Sequence, residues 1–413
     1  MRRIYESRLN DYRYNTSYPL SPSDWKPFDT VGQLPFSGQD LCFYIHIPFC
    51  QRLCSFCEYT RMRVPNESAQ LQYIATLRRD IEAFLAEHPG IVLHGLDIGG
   101  GTPTSLCDKA FEELLGLFYD VISSVTLAPE FEPSIEATTG SLSEEKLRMI
   151  ASSGIRRLSM GLQTTDSKIL DTVNRTGANF DSIVAAIASM EKVNLDLMYG
   201  LPGQNVVKAD RDIEILRNIR PVQVTLYEYR TNQLGHNRQL DADARYDIYC
   251  RFYNALTAMG YHARFGQNTF SVDATDFGVS SYLRNRMLYG MPYKGFGLSA
   301  QSMSEHGLFY NIGKNSNGLP GLLMSDTFES QSYYKLPPTE LLAKFISISA
   351  YSGGFSLSRA SEILGQDFAK AHADAIEFLS SDGLIFIDGN RLQVTREGFR
   401  HYGAVFSLFT IRN

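Results

Sequence analysis

Leu41-Cys42-Phe43-Tyr44-Ile45-His46-Ile47-Pro48-Phe49-Cys50-Gln51-Arg52-Leu53-Cys54-Ser55-Phe56-Cys57 joins an architectural signal to a chemical one. Leu41–Ile47 is a short apolar run stopped by Pro48, the pattern of a strand buried on both faces. Cys50, Cys54 and Cys57 follow at C-x3-C-x2-C spacing, in the loop just beyond that strand. Three thiolates so close can hold zinc or an iron–sulfur cluster. A structural zinc needs a fourth ligand. His46 is held back by Pro48, and no second C-x2-C pair follows. A cubane on three thiolates would leave one iron open to an external ligand. Phe49 and Phe56 flank the cysteines and would keep water from such a cluster. Cys42, Cys107 and Cys250 stand singly and read as small buried hydrophobes.

Beyond this loop a βα rhythm continues. Ser68–Glu87 is helical, with Leu71, Ile74, Leu77, Ile81 and Leu85 on one face. Strands are predicted at Ile91–Ile98, Ser134–Thr138, Arg157–Gln163, Leu195–Tyr199 and Val222–Tyr227. Helices are predicted at Asp108–Ser123 and near 143–152, 179–191 and 208–218. Six strand–helix units imply a parallel sheet, closed most of the way into a partial (β/α)6 barrel of the α/β class. An open dinucleotide-binding sheet would need a G-x-G-x-x-G after its first strand, and none is present.

Four regions result: an irregular N-terminal arm (1–40), the barrel (41–265), a Gly-, Tyr- and Asn-rich substrate-side extension (266–336) and a small C-terminal domain (337–413). In the last, helices precede Leu384–Ile387, an Asp388-Gly389-Asn390 turn and Leu392–Val394, the outline of a winged helix. Its 7 Lys+Arg against 8 Asp+Glu argue for a lid or dock on the barrel rather than a DNA reader.

After the second strand comes Gly99-Gly100-Gly101-Thr102-Pro103, where missing Cβ atoms would let backbone groups approach a ligand. No Lys-Ser/Thr follows, so it is no P-loop. Glu136, Gln163 and Asp196 then interrupt or end three apolar strands. Buried carboxylates and amides are costly without partners. One such residue would satisfy a barrel-floor hydrogen bond; several in succession suggest one cofactor with several hydrogen-bonding groups.

Tyr44–Cys57, Gly99–Pro103 and Asp196-Leu197-Met198-Tyr199-Gly200-Leu201-Pro202-Gly203-Gln204 together resemble the radical S-adenosylmethionine (SAM) enzymes, most closely the oxygen-independent coproporphyrinogen III oxidase group. Thr16-Ser17-Tyr18-Pro19 is similar to that family's N-terminal arm. Gly295–Ala300 is similar to its later glycine motif, and Asp382–Gly398 to its appended domain. The resemblance implies one [4Fe–4S] cluster on Cys50, Cys54 and Cys57, one SAM or two, and a reduced flavodoxin or ferredoxin-type electron donor. It implies that Tyr44 borders the cofactor as the candidate catalytic residue, with Phe56, Gly100, Gly101 and Thr102 beside it. Glu136 and Arg175 match positions holding SAM's ammonium and carboxylate; Gln163 and Asp196 match positions at the nucleoside. Reductive cleavage of SAM would then give a 5′-deoxyadenosyl radical that takes hydrogen from a small-molecule substrate.

The chain also departs from this group. Where the oxidases carry a further cysteine two residues after the third, Tyr59 stands. The haem chaperones' His-Asn-x-x-Tyr-Trp motif has as its nearest match Arg284-Asn285-Arg286-Met287-Leu288-Tyr289, without the histidine or tryptophan. These departures lead to a first expectation of methyl or methylene transfer using a second SAM. The alternatives are oxidative decarboxylation of a porphyrinogen propionate, and haem carriage without catalysis. Arg284 and Arg286 read as solvated loop arginines or as groups that meet a carboxylated substrate.

The 413 residues carry 39 Lys+Arg and 45 Asp+Glu, a net charge of −6, which argues against nucleic acid or an anionic membrane as partner. With 44% hydrophobic residues the chain can bury a sizeable core. No apolar run reaches the length of a membrane span, and no apolar stretch follows the charges of Met1–Arg8 as in a secretory signal. A cytoplasmic location is expected.

Overall fold

The computed structural model describes residues 1–9, 18–19, 22–229, 240–314 and 318–410. Thr16 and Ser17 of the arm motif lie outside them. Six parallel strands form the barrel: β1 (Asp40–Ile47), β2 (Val92–Gly100), β3 (Ser134–Thr138), β4 (Arg157–Gln163), β5 (Lys192–Tyr199) and β6 (Gln223–Glu228). They pair in sequence order, each parallel to the next. β1 is buried on both faces apart from Asp40 and half-buried Tyr44, so it reads as a continuous apolar run. The outer layer is helical. Asn66 caps Glu67–Glu87 by accepting from the Ala69 N–H, and Tyr73, Ile74, Leu77, Ile81 and Phe84 pack on the sheet. Tyr73 and Phe84 take the burial expected of Leu71 and Leu85, which are only partly covered.

Two regions correct the sequence reading. The stretch 266–336, read as a substrate-side extension of weak periodicity, contains strands that continue the barrel sheet. Thr269–Ser271 pairs antiparallel with β6, and Tyr293–Phe296 pairs parallel with β1. Gln301–Ser304, Gly307–Tyr310 and Ser332–Lys335 add antiparallel strands beyond it. The arm is not irregular throughout: Arg2–Arg8 is helical, Pro22–Phe28 is a 3₁₀ helix, and Asp29–Val31 pairs with Ser332–Lys335. The Ala242–Ala258 helix, which the sequence reading did not anticipate, buries Ile248, Tyr249, Phe252 and Leu256.

The C-terminal part has the winged-helix outline. Helices Pro338–Ser349, Leu357–Leu364 and Ala373–Ser381 precede the Ile385–Asp388/Arg391–Val394 hairpin, joined by a third strand at Gly354–Ser356. It shares the main core through Phe355, Leu392, Val394 and Phe399. Phe399 lies 4.4 Å from Tyr249 of the barrel, ring centroid to ring centroid.

Candidate functional site

Every sequence-predicted site residue lies at the C-terminal ends of β1–β5 or in the loops after them, where barrel enzymes place their chemistry. Cys50 and Cys54 are buried and Cys57 partly so, and all three are free thiols. The Cys50 thiol lies 3.7 Å from Thr102 Oγ1, and Arg175 Nη1 lies 3.6 Å from Cys54 Sγ. Burial pushes the Cys57 thiol up to about 11, with Cys50 and Cys54 each adding to it. Among the described residues, no three His, Cys, Asp or Glu side chains are arranged for a single metal ion. A cluster instead spreads its thiolates over separate irons. Phe56 packs against Ile169, Val173, Met198, Leu201 and Tyr229, closing one side of the loop. Phe49 is fully buried against Tyr73.

His46 belongs to the wall rather than to a metal. Its Nε2 faces the Thr60 carbonyl at 2.8 Å and its Nδ1 the Tyr44 hydroxyl at 3.3 Å. Burial holds it down at about 4, so the ring is neutral.

The glycine run is tightly packed. Gly100 has φ +108°, and a Cβ there would stand 2.2 Å from the His46 ring. Its N–H donates to Glu136 Oε2 at 3.0 Å, Gly101 N–H to the Ile47 carbonyl, and Thr102 N–H to the Phe49 carbonyl. The Gly100 N–H thus fixes the Glu136 carboxylate, while those of Gly101 and Thr102 tie the run to the β1 end and the cysteine loop.

Three carboxylates share this interior. Glu136 is pushed up to about 7, first by burial and then by Asp196 and Asp97, against the Gly100 N–H. Asp196 accepts from Ser159 Oγ at 3.0 Å and Asn194 Nδ2 at 2.7 Å, which hold it in one orientation; burial raises its carboxyl as well. Asp97 escaped the sequence reading, although it interrupts β2 as Asp196 interrupts β5. It pairs in register with Tyr44, accepts from Ser280 Oγ at 2.7 Å, and burial pushes it up to about 7.

Gln163 ends β4 at a register shift with φ +68°, a left-handed backbone uncommon for this residue type. Its Oε1 is buried without a partner, as is Asp97 Oδ1. Such orphaned acceptors in a native interior call for a ligand or water. Arg175 Nη2 donates to the Gly161 carbonyl at 2.5 Å, which puts the guanidinium between the cysteine loop and Gln163.

Opposite the carboxylates stands a tyrosine wall. Tyr44 stacks on Tyr282 at 5.7 Å and 19°. Tyr59 keeps 59% of its surface open and Tyr227 38%, yet surrounding protein raises both hydroxyls well above their usual value. Side chains on the wall of an internal chamber show both properties. Glu136 raises the hydroxyls of Tyr44, Tyr59 and Tyr227 electrostatically, so the three stand near it. Arg286 corrects the loop-arginine reading. It lies on the Ser281–Tyr289 helix, half-buried, donating to the Tyr282 hydroxyl at 2.8 Å and the Tyr293 hydroxyl at 3.1 Å.

Comparison with known proteins agrees with this geometry. Residues 44–216 match the radical SAM superfamily model, and residues 352–401 match the HemN C-terminal domain. Residues 44–216 thus form a domain of the radical SAM superfamily. Members of this superfamily use a [4Fe–4S] cluster and SAM. A heme chaperone HemW of Lactococcus lactis is 25% identical over 397 residues, 89% of this chain and 97% of that one. An oxygen-independent coproporphyrinogen III oxidase of Bradyrhizobium diazoefficiens is 27% identical over 429 residues, 95% of this chain and 92% of that one. The solved Escherichia coli coproporphyrinogen III oxidase HemN has the same fold, with TM-score 0.73 and 22% identity over 90% of each chain. The radical SAM fold is therefore shared along nearly the full length. Among the described residues no helix is long and apolar enough to cross a membrane.

Proposed function

We propose that this radical SAM protein oxidises a carboxylated tetrapyrrole of the porphyrinogen kind. The observation that supports it is the neighbourhood of buried Glu136 and Asp196, with Tyr44, Tyr59 and Tyr227 near Glu136 and Tyr282 stacked on Tyr44, and with a buried acceptor, Gln163 Oε1, left unpartnered at the end of β4. The relatives reported above are named for coproporphyrinogen oxidation and haem carriage rather than methyl transfer, which moves the proposal from the first expectation to the oxidative alternative.

The residues fit the group. Cys50, Cys54 and Cys57 would hold the cluster. Glu136 would take SAM's ammonium and Arg175 its carboxylate. Asp196, oriented by Ser159 and Asn194, would accept from the ribose hydroxyls, and the Gln163 Oε1 would accept from the nucleoside. When bound, the cluster and SAM supply a carbon-centred radical able to take a hydrogen atom from a substrate side chain. Tyr44 borders that space with its ring fixed between Tyr282 and His46. The aromatic wall keeps bulk water out and offers flat faces to a macrocycle. A reduced flavodoxin or ferredoxin-type donor belongs to this reading.

Haem carriage is the second reading, favoured by the HemW relative's near-complete coverage. Against it, a haem carrier needs an axial ligand, and the histidine beside the cysteine loop, His46, spends both nitrogens within the wall.

Anaerobic incubation with reductant, SAM and coproporphyrinogen III separates the readings. The oxidative reading expects substrate-dependent 5′-deoxyadenosine and CO2 without S-adenosylhomocysteine. Comparable S-adenosylhomocysteine would restore methyl transfer. Haem retained through gel filtration, with no turnover, would favour carriage.

A further inference from the structure

The Ser281–Tyr289 and Pro338–Ser349 helices meet where Ser349 Oγ donates to the Met287 carbonyl at 2.5 Å. Arg286 and Lys344 lie on these helices, and Lys314 is near enough to act on Lys344; the SAM reading uses none of the three. Arg286 lies 4.0 Å from the Tyr293 ring centroid and 5.0 Å from that of Tyr282. Lys314 Nζ stands 4.8 Å from the Tyr310 ring. Tyr293 and Tyr310 are linked through Gln301: Tyr293 donates to its Oε1, and its Nε2 reaches the Tyr310 hydroxyl at 2.5 Å. Lys344 Nζ, on the second helix, donates to the Tyr18 carbonyl at 2.9 Å.

Among the described residues, no carboxylate forms an ion pair with any of the three. Asp97 and Glu58 act on Arg286 and Lys314 only from a distance. Burial, with the charges of Arg286 and Lys314, holds the Lys344 ammonium down at about 7. Three neighbouring cations with no ion-paired carboxylate among the described residues repel one another, and an incoming anion relieves this.

We infer that Arg286, Lys314 and Lys344 form the receptor for the substrate's carboxylate groups. The Tyr282 hydroxyl that Arg286 holds belongs to the ring stacked on Tyr44. A polycarboxylate anchored at this cluster therefore lays its apolar body along the tyrosines, towards Tyr44. The inference rests on the tetrapyrrole reading for the identity of the carboxylate carrier, and the test separates the two.

Coproporphyrin III, a tetracarboxylate, is titrated into anaerobic holoprotein and followed by its absorption. The wild type is compared with Lys344→Met, Lys344→Arg and Lys314→Met. In parallel, propane-1,2,3-tricarboxylate is tested for protection of Lys344 from acetylation by acetic anhydride, read by peptide mass. Loss of one charge-assisted contact is expected to weaken coproporphyrin III about tenfold in Lys344→Met, with affinity kept in Lys344→Arg. Exposed Lys314 bears little on folding, and Lys314→Met is expected to weaken binding about threefold. Equal affinity in the wild type and both Met variants overturns the receptor and leaves the tetrapyrrole reading standing. Protection of Lys344 by the tricarboxylate, with no coproporphyrin III binding, upholds the receptor and removes the tetrapyrrole. Neither binding nor protection overturns the receptor.

Discussion

Glu136 is the residue whose protonation decides whether the chamber accepts a cation. Burial and the nearby Asp196 and Asp97 push its carboxyl up to about 7 from an ordinary 4.5. A group whose folded value is raised keeps its proton where the unfolded chain releases it, so its contribution to stability declines between pH 4.5 and about 7. SAM's ammonium needs the ionised form. SAM affinity is therefore expected to rise between about pH 6 and 8 in the wild type and to be weaker and flatter in Glu136→Gln. Asp97, also near 7, is the competing source of such a slope. Equilibrium dialysis of Asp97→Asn should keep the slope, and losing it there instead would move the ammonium site to Asp97. Glu136, Gln163 and Asp196 were legible in the sequence because a polar group within an apolar strand is conspicuous. Asp97 was hidden by the glycines after it, which drew the reading to the backbone.

At the scale of elements, the six barrel strands were legible because burial on both faces leaves little but apolar residues. The strands from Tyr293 to Lys335 were not. Gly295, Gly297 and Gly307 interrupt their alternation, and Gly307 needs its missing side chain because a Cβ would meet the Tyr334 carbonyl at 2.0 Å. The Ala242–Ala258 helix was equally obscure, since its buried side is diluted by Tyr246, Tyr253 and charged neighbours. The N-terminal arm shows its structural role only in three dimensions. Trp25 is buried, donating from Nε1 to Glu340 Oε2 at 2.7 Å, and Tyr18 donates to the same oxygen at 2.8 Å. These bonds strap the arm to the Pro338–Ser349 helix that carries Lys344. Trp25→Phe keeps most of the apolar volume and removes the donor, and it should cost about 1–3 kcal/mol of stability. Urea denaturation should show this loss with cluster iron unchanged. An unchanged midpoint would mean that the arm is not a strap.

The main sheet is continuous from the barrel strands through Tyr293–Phe296 to Ser332–Lys335, and the Pro338–Ser349 helix packs on the Ser281–Tyr289 helix beside it. That arrangement sets two chemically distinct groups near one another: carboxylates and thiols at and beyond β1–β5, and the cations Arg286, Lys314 and Lys344. The family and its cofactors were legible in short motifs, because cluster and SAM impose fixed spacings on a loop and on strand ends. The cationic end was not, because Arg286, Lys314 and Lys344 come from separate elements and meet only through tertiary packing. Iron content after anaerobic reconstitution, together with the electron paramagnetic resonance of the reduced protein with and without SAM, tests the account most directly. Wild type should hold about four irons per chain and change its spectrum when SAM is added. Cys50→Ala, Cys54→Ala and Cys57→Ala should each lose the cluster, while Cys42→Ala, Cys107→Ala and Cys250→Ala keep it. A cluster retained without any of the first three, or lost with any of the last three, would contradict the assignment of the site.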